Sequence, residues 1–266
     1  MRLTMLGTGN ALATGYYNTC FVLNEGDQYL LVDGGGGNGL FTQLNRAGID
    51  WRHLRHIFVT HKHIDHLLGV LWMVRVICQY MSQDRYEGEA KIYAHQELTG
   101  IIENLARTLL QENETRALGK RLHLVPVADG EELDIIGRRV AFFDINSTKA
   151  RQFGFSMHLD NDEKLTCCGD EPYNEREERY VAGSKWLMHE AYCLYAQADR
   201  FKPYEKHHAT VKEACELAER LRVKNLILYH TEDKSLPRRK ELYMEEGKRY
   251  YRGNLHVPDD LETFEL

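Results

Sequence analysis

No linker-like tract interrupts these 266 residues, so a single domain spanning residues 1–266 is expected rather than two. The six cysteines (Cys20, Cys78, Cys167, Cys168, Cys193 and Cys215) form no Cys-x-x-Cys pair, and only Cys167 and Cys168 are neighbours. That pattern lacks a disulfide framework and predicts reduced, mostly buried thiols in a cytoplasmic protein. No apolar run approaches the roughly 20 residues of a membrane span. The segment Met1 to Gly7 runs straight into strand-like sequence without the layout of a signal peptide, so no membrane partner is expected. Positive charge is not in surplus either. Lys and Arg number 34 against 40 Asp and Glu, and a net charge of −6 argues against broad, nonspecific binding of nucleic acid. No Gly-Lys-Ser/Thr follows the glycines at 34–37, which excludes a phosphate-binding P-loop and leaves a tight turn into a helix.

What the chain has is histidine in one place. The run Thr60-His61-Lys62-His63-Ile64-Asp65-His66 directly follows the apolar stretch Ile57-Phe58-Val59. Four potential metal ligands therefore sit on a loop just past a strand end. Imidazole and carboxylate are ligands for zinc, iron and manganese. His61 and His63 alternate and would point to one side of an extended segment, while Asp65 and His66 lie where the chain turns into a helix. One short loop can thus feed two adjacent metals.

Strand signals dominate the first sixty residues: Arg2 to Leu6, then a hairpin of Thr19–Leu23 and Tyr29–Val32. Helical periodicity marks residues 40–47, 67–82, 97–111 and 211–221. Further strands are expected at 90–94, 123–127, 132–136, 139–145, 153–158, 164–168, 186–188 and 225–229. Strands in both halves, each half with helices, predict two sheets packed face to face with helices outside. Strand ends repeatedly deliver a titratable residue: Asp33, His61, Asp170, His189 and His230. Each alone is more often a cap than a ligand. Their joint pattern around the histidine run points to a site at one sheet edge.

The motifs resemble the metallo-β-lactamase superfamily, and within it the ribonuclease Z-like branch. The resemblance is carried by Leu6-Gly-Thr-Gly-Asn-Ala11, Asn18-Thr19, Leu31-Val-Asp33-Gly34, Thr60 to Gly69, Gly154-Phe155, Gly169-Asp170, His189-Glu190-Ala191, His208-Ala-Thr210 and Tyr229-His230-Thr231. These stand in the family's order over most of the chain. The resemblance implies an α+β fold, the four-layer αββα sandwich, with a dinuclear metal site that is usually zinc; manganese or iron would also suit the donors. Carried over position by position, His61 and His63 would hold the first metal. Asp65, His66 and His230 would hold the second, and Asp170 would bridge both. Asp33 would orient a ligating histidine from behind. Glu190 and His208 would act together on the leaving group, a histidine held by a carboxylate being a suitable general acid. His207 is adjacent, and the sequence leaves open which imidazole faces the site.

One departure stands out. The family supplies a third histidine to the first metal from the loop before Gly154-Phe155, and the loop Asp144 to Gln152 has none. Asn146 is the expected occupant of that place. Asparagine is a poor zinc ligand, so the first site is expected to be labile and the second retained, giving one or two ions per chain. A transfer-RNA-maturing ribonuclease Z also carries a protruding arm between this loop and the bridging aspartate, and too few residues separate Asn146 from Asp170 to hold it.

The leading expectation is a metal-dependent hydrolase of a phosphodiester or other small ester, on a small-molecule or nucleotide-like substrate, with Asp65, Glu190 and His208 as catalytic residues. An RNA endonuclease and a catalytically impaired metal-binding or scaffold protein are the alternatives. Lys149, Arg151 and Arg238-Arg239-Lys240 are candidates to meet phosphates, but a solvated surface is the expectation for them. The tyrosine- and charge-rich tail from Ser235 to Leu266 is expected to pack on the sandwich or join a homodimer contact.

Overall fold

Strand β2 (Cys20–Glu25) shows how one strand serves two cores. Successive side chains of a strand point to opposite faces. Cys20 and Val22 enter one apolar cluster with Leu31, Val70 and Val74, while Phe21 and Leu23 enter another with Leu3, Met5 and Phe155. Because both faces are covered, the central strands read as near-continuous apolar runs.

The computed structural model describes residues 1–266. The first sheet gathers β1 (Arg2–Gly7), β2, β3 (Gln28–Val32), β4 (His56–Phe58), β5 (Ala90–His95) and β6 (Leu122–Val127), with β14 (Thr263–Glu265) at its edge, in the order β14-β1-β2-β3-β4-β5-β6. The second runs β13-β12-β11-β10-β9-β8-β7, from β7 (Glu132–Ile135), β8 (Arg138–Asp144), β9 (Phe153–His158), β10 (Lys164–Cys167), β11 (Trp186–Glu190), β12 (Asn225–Tyr229) and β13 (Asn254–His256). Phe21, Phe58, Phe142, Phe155, Met188 and Ile227 fill the space between the sheets. Helices α1 (Gly39–Arg46), α2 (Ile64–Ser82) and α3 (Gln96–Leu109) cover the first sheet's outer face. Beyond the single-turn helices α4 (Glu178–Val181) and α5 (Ala198–Phe201), helices α6 (Val211–Arg220) and α7 (Arg239–Gly247) cover the second. The result is the four-layer αββα sandwich that the resemblance implied.

The loop of candidate metal ligands is placed by α2. This helix begins at Ile64, three residues ahead of its apolar stripe, with Asp65 in its first turn, where a carboxylate suits the positive helix end. By length and mean composition α2 would suffice to cross a membrane, although Asp65, His66 and Arg75 break its apolar run. Here it is a core helix, with most of that window buried and Val70, Val74 and Ile77 packed on the first sheet.

Two glycines let α2 approach the end of β3. A Cβ on Gly69 would lie 1.8 Å from the Gly34 carbonyl oxygen, and one on Gly34 would lie 2.4 Å from the Val70 nitrogen. Gly34 N–H donates to the His66 carbonyl at 2.8 Å, and Gly69 N–H donates to that of Gly35 at 3.0 Å. The turn at 34–37 is therefore the seat of α2, which carries Asp65 and His66, as well as an entry to α1.

The tail packs, and each sheet gains an edge strand from it: β13 pairs parallel with β12, and β14 antiparallel with β1. Neither strand nor α7 was visible as periodicity. The basic run 238–240 is not a free cationic surface. Arg239 is fully buried, donating to Thr231 Oγ1, the Pro258 carbonyl and Asp259 Oδ1. Arg238 pairs with Glu241, and Lys240 with Glu262.

Candidate metal centre and acid–base pair

The site assembles at the C-terminal ends of parallel strands from both sheets. Strand β3 ends before Asp33, β4 before the histidine loop, β10 before Asp170, and β12 before His230, while Glu190 is the last residue of β11. Asp33 and His230 both adopt left-handed backbone, φ 58° and 56°. For non-glycine residues that costs of order 1 kcal/mol or more, and it persists where packing holds the site in place.

Asp33 sets the orientation of two imidazoles. Its Oδ2 accepts from His66 Nδ1 at 2.7 Å and from Thr60 Oγ1 at 2.8 Å, and its Oδ1 accepts from Thr60 N–H at 2.8 Å. Since the Thr60 hydroxyl gives its proton to the carboxylate, its oxygen receives the proton of His61 Nδ1 at 2.9 Å. The network thus turns Nε2 of both His61 and His66 into the site. His61 Nε2 lies 3.5 Å from Asp170 Oδ2 and 2.9 Å from His63 Nδ1. His66 Nε2 lies 3.5 Å from Asp65 Oδ2 and 3.8 Å from Asp170 Oδ2. His230 Nε2 completes the cluster at 3.4 Å from Asp65 Oδ2 and 3.6 Å from Asp170 Oδ2.

The charges of the cluster are interlocked. Burial would raise the Asp65 carboxyl, but His66 and His230 outweigh it and hold it well below the usual range. Burial acts likewise on Asp170, outweighed by His61 and His230. For His66 burial favours the neutral ring, yet Asp65 and Asp33 push its pKa well up. His230 is raised to about 9, burial being overcome by its contacts with Asp65 and Glu190. His61, by contrast, is driven well down by burial. Protons shared between carboxylates and imidazoles are what a divalent cation displaces on binding.

These donors fit a metal. His66 Nε2 and Asp170 Oδ1 are buried atoms without a hydrogen-bond partner. The ligand atoms of His61, His66 and Asp170 lie within 4.8 Å of one another, as do those of Asp65, His66 and His230, and those of Asp170, His208 and His230. His63 belongs to none of these trios and joins the cluster through His61, half-buried at its rim.

A second unit adjoins the first. His208 Nδ1 lies 2.6 Å from Glu190 Oε2, fully inside the protein, and the other carboxylate oxygen accepts from Ala209 N–H at 2.8 Å. Burial raises the Glu190 carboxyl, but His208 and then His230 bring it down to about 2. Glu190 Oε2 also stands 3.7 Å from His230 Nδ1, tying the pair to the cluster. The His208 ring is stacked on Tyr192, centroids 4.7 Å apart at 7°. The neighbouring His207 is exposed and meets Thr148 Oγ1 instead, so the structure places His208 at the site.

Asn146 is not brought to the cluster. Its side chain is exposed, donating to the Asp144 carbonyl and accepting from Arg176 Nη1 at 2.8 Å. The reason is local: residue 146 takes a left-handed backbone, φ 55°, in an Asx turn capped by Asp144. The loop instead delivers Lys149, whose Nζ lies 3.2 Å from the Asp170 carbonyl and 3.4 Å from His208 Nε2. Lys149 was a candidate to meet a phosphate with a solvated surface as the expectation, and the structure turns it inward instead. Thr60, given no role from the sequence, could have been found as a hydroxyl between the Asp33 strand end and the first histidine.

A family model described as "Anti-Pycsar protein Apyc1" matches residues 1–248. Ribonuclease Z of Thermococcus sibiricus is 25% identical over 313 aligned residues, covering 100% of this chain and 96% of its own. Ribonuclease Z of Bacteroides thetaiotaomicron is 24% identical, covering 86% and 84%. Among solved structures, the metallo-β-lactamase fold protein YhfI of Bacillus subtilis superposes with a TM-score of 0.80 at 15% identity over 100% of this chain and 99% of that one. A diphosphatase of the PhnP family gives a TM-score of 0.76 at 17% identity, over 100% and 97%.

Proposed function

The chain belongs to the anti-Pycsar protein Apyc1 family, within the ribonuclease Z-like branch of the metallo-β-lactamase superfamily, and from that membership we propose that this metal-dependent hydrolase cleaves a phosphodiester in a small, nucleotide-like substrate. The observation that carries the reading is the buried Glu190–His208 pair beside the Asp65, Asp170 and His230 carboxylate–imidazole cluster. Relatives named ribonuclease Z and a neighbour named a diphosphatase support phosphate-ester chemistry.

In the proposed assignment His61, His63 and Asp170 would hold one zinc ion, and Asp65, His66 and His230, with Asp170, would hold a second. When bound, such ions lower the pKa of water and offset the charge that develops on the phosphoryl oxygens. Asp33 and Thr60 keep the Nε2 lone pairs of His66 and His61 aimed forward. Asp65 is the carboxylate set against both His66 and His230. His208 delivers a proton from Nε2 to the departing alkoxide, while Glu190 on Nδ1 orients the ring. With Asn146 turned outward, the first site is proposed to release its ion more readily than the second. Two tightly held zinc ions per chain, in protein purified without chelator, would sink that part of the assignment. The proposed assembly is a homodimer.

Between the Asn146 loop and Asp170 the chain forms only β9, a turn and β10, with no room for a substrate-gripping arm. This favours a small diester over precursor transfer RNA. The test is turnover of bis-p-nitrophenyl phosphate with zinc or manganese, alongside precursor transfer RNA. The expected result is hydrolysis of the diester alone, reduced about 100-fold or more in kcat by His208→Asn. Cleavage of the transfer RNA would favour the ribonuclease reading. No turnover with either metal would favour a binding or scaffold protein.

A further inference from the structure

The loop from Asp144 to Gln152 is built to send one residue inward. Ser147 Oγ donates to Glu171 Oε1 at 2.6 Å and accepts from the Lys149 and Ala150 N–H groups at 3.2 and 3.3 Å. Ile145 N–H closes the loop on the Gln152 carbonyl. This turn directs the Lys149 side chain, only 17% exposed, toward the carboxylate–imidazole cluster.

The ammonium has three neighbours: the Asp170 carbonyl at 3.2 Å, His208 Nε2 at 3.4 Å and Glu171 Oε1 at 3.6 Å. Every other charged side chain bonded into the cluster, apart from the imidazoles, is a carboxylate: Asp33, Asp65, Asp170 and Glu190. Metal ions held by these carboxylates would offset their charge, and a phosphate oxygen that meets neither ion still needs a cationic donor of the protein's own. Lys149 is the one lysine or arginine bonded into the site. It also stands where His208 Nε2 emerges, on the side of the loop that supplies no histidine.

We propose that Lys149 is the anion-binding residue of this site, gripping a non-bridging oxygen of a phosphate group next to His208 Nε2. The inference rests on the phosphodiester reading for its ligand class. A lysine acts there as a point charge with three rotatable donors. One donor serves the Asp170 carbonyl and another faces Glu171, which leaves one to meet a phosphate oxygen placed beside His208 Nε2. The Glu171 carboxylate, tied down by Ser147, holds the ammonium from behind. The chain thus meets its substrate's charge with a fixed cation in the region where a further metal ligand was expected.

The test uses the full-length, metal-bearing protein as purified, with inorganic phosphate as the probe. Isothermal titration gives phosphate affinity for the wild type, Lys149→Met and Lys149→Arg, while elemental analysis gives metal content. Lys149→Met is expected to weaken phosphate binding about tenfold or more, the scale of a charge-assisted hydrogen bond. Lys149→Arg should restore most of it, and metal content should stay unchanged in both. The KM for bis-p-nitrophenyl phosphate should rise with the loss of phosphate affinity. Phosphate affinity within about twofold of wild type in Lys149→Met would overturn the proposal, as would a fall in metal content matching the fall in affinity. If Lys149→Met does not fold, reductive methylation of wild-type Lys149 followed by mass spectrometry decides. Protection by phosphate supports the proposal, and an unchanged labelling rate overturns it. A wild type that binds phosphate through Lys149 yet turns over no diester leaves the inference standing and removes the phosphodiesterase reading.

Discussion

Glu177 sits beneath the second sheet, 1% exposed, and serves the helix turn at 175–177 by accepting from Asn174 N–H at 3.0 Å. Its other oxygen has no hydrogen-bond partner, and burial pushes its pKa up to about 8. The folded state therefore binds this proton more tightly than the unfolded chain. The stabilising effect of that proton is fully present below the ordinary carboxyl pKa near 4.5 and is lost as pH rises through about 8. Glu177→Gln is expected to leave the melting temperature almost unchanged at pH 5 and to raise it at pH 9, since a tenfold difference in proton affinity between the two states corresponds to about 1.4 kcal/mol. Equal melting temperatures of variant and wild type at pH 9 would contradict this. At this same scale, single residues were legible in the sequence where chemistry and spacing coincide. The four ligand candidates at 61–66 stand out because imidazole and carboxylate are rare in such density. Lys149 was visible only as a candidate phosphate contact on a solvated surface; its inward turn, and the choice of His208 over His207, were not legible, because each depends on where a turn points one side chain.

At the scale of elements, β4, α2 and the turn after β3 act as one unit. Gly34 and Gly69 touch backbone to backbone, and that contact sets the distance from Asp33 to His66. Gly69→Ala would place a methyl group 1.8 Å from the Gly34 carbonyl oxygen, with backbone rather than a flexible side chain in its way. Overpacking of this kind costs about 1–3 kcal/mol or more. Chemical denaturation should show that loss, and elemental analysis should show lower metal content, because His66 moves with the helix. Gly100, on the outer face of α3 with nothing near its Cβ direction, provides the control: Gly100→Ala should be tolerated. The periodicity of α2 and of the strands was readable because both faces of each sheet are buried. The glycine contact was not, since the two residues lie 35 positions apart and neither has a side chain to pattern.

At the scale of the molecule, the C-terminal tail closes the sandwich. Besides supplying β13 and β14, it brings Asp260 to the first glycine turn, where its carboxylate accepts from Thr8 N–H, Thr8 Oγ1, Tyr17 N–H and Gln43 Nε2. Arg239, stacked over Tyr16 and bonded to Thr231, links the same tail to the residue after His230. The family match ends at residue 248, before both edge strands. Truncation after Gly253 would uncover the edges of β1 and β12 and remove the partners of Thr8 and Gln43. The expected outcome is a protein that melts at lower temperature and aggregates, as exposed edges do. A truncated chain with wild-type melting temperature and solubility would show the tail to be dispensable.

The amino-acid sequence by itself determined the sandwich, the edge at which the site forms and most of its ligand candidates. Those features rest on local chemistry: alternation of apolar residues, turn residues at strand ends, and metal-binding side chains at fixed short spacing. Tertiary structure decided what lies on the open side of the site. Asn146 turns out to solvent in the Asx turn capped by Asp144 and is met there by Arg176, while Lys149 turns in from a loop that Ser147 pins to Glu171. Such a choice depends on contacts between segments far apart in sequence, and periodicity and spacing along one chain do not encode it.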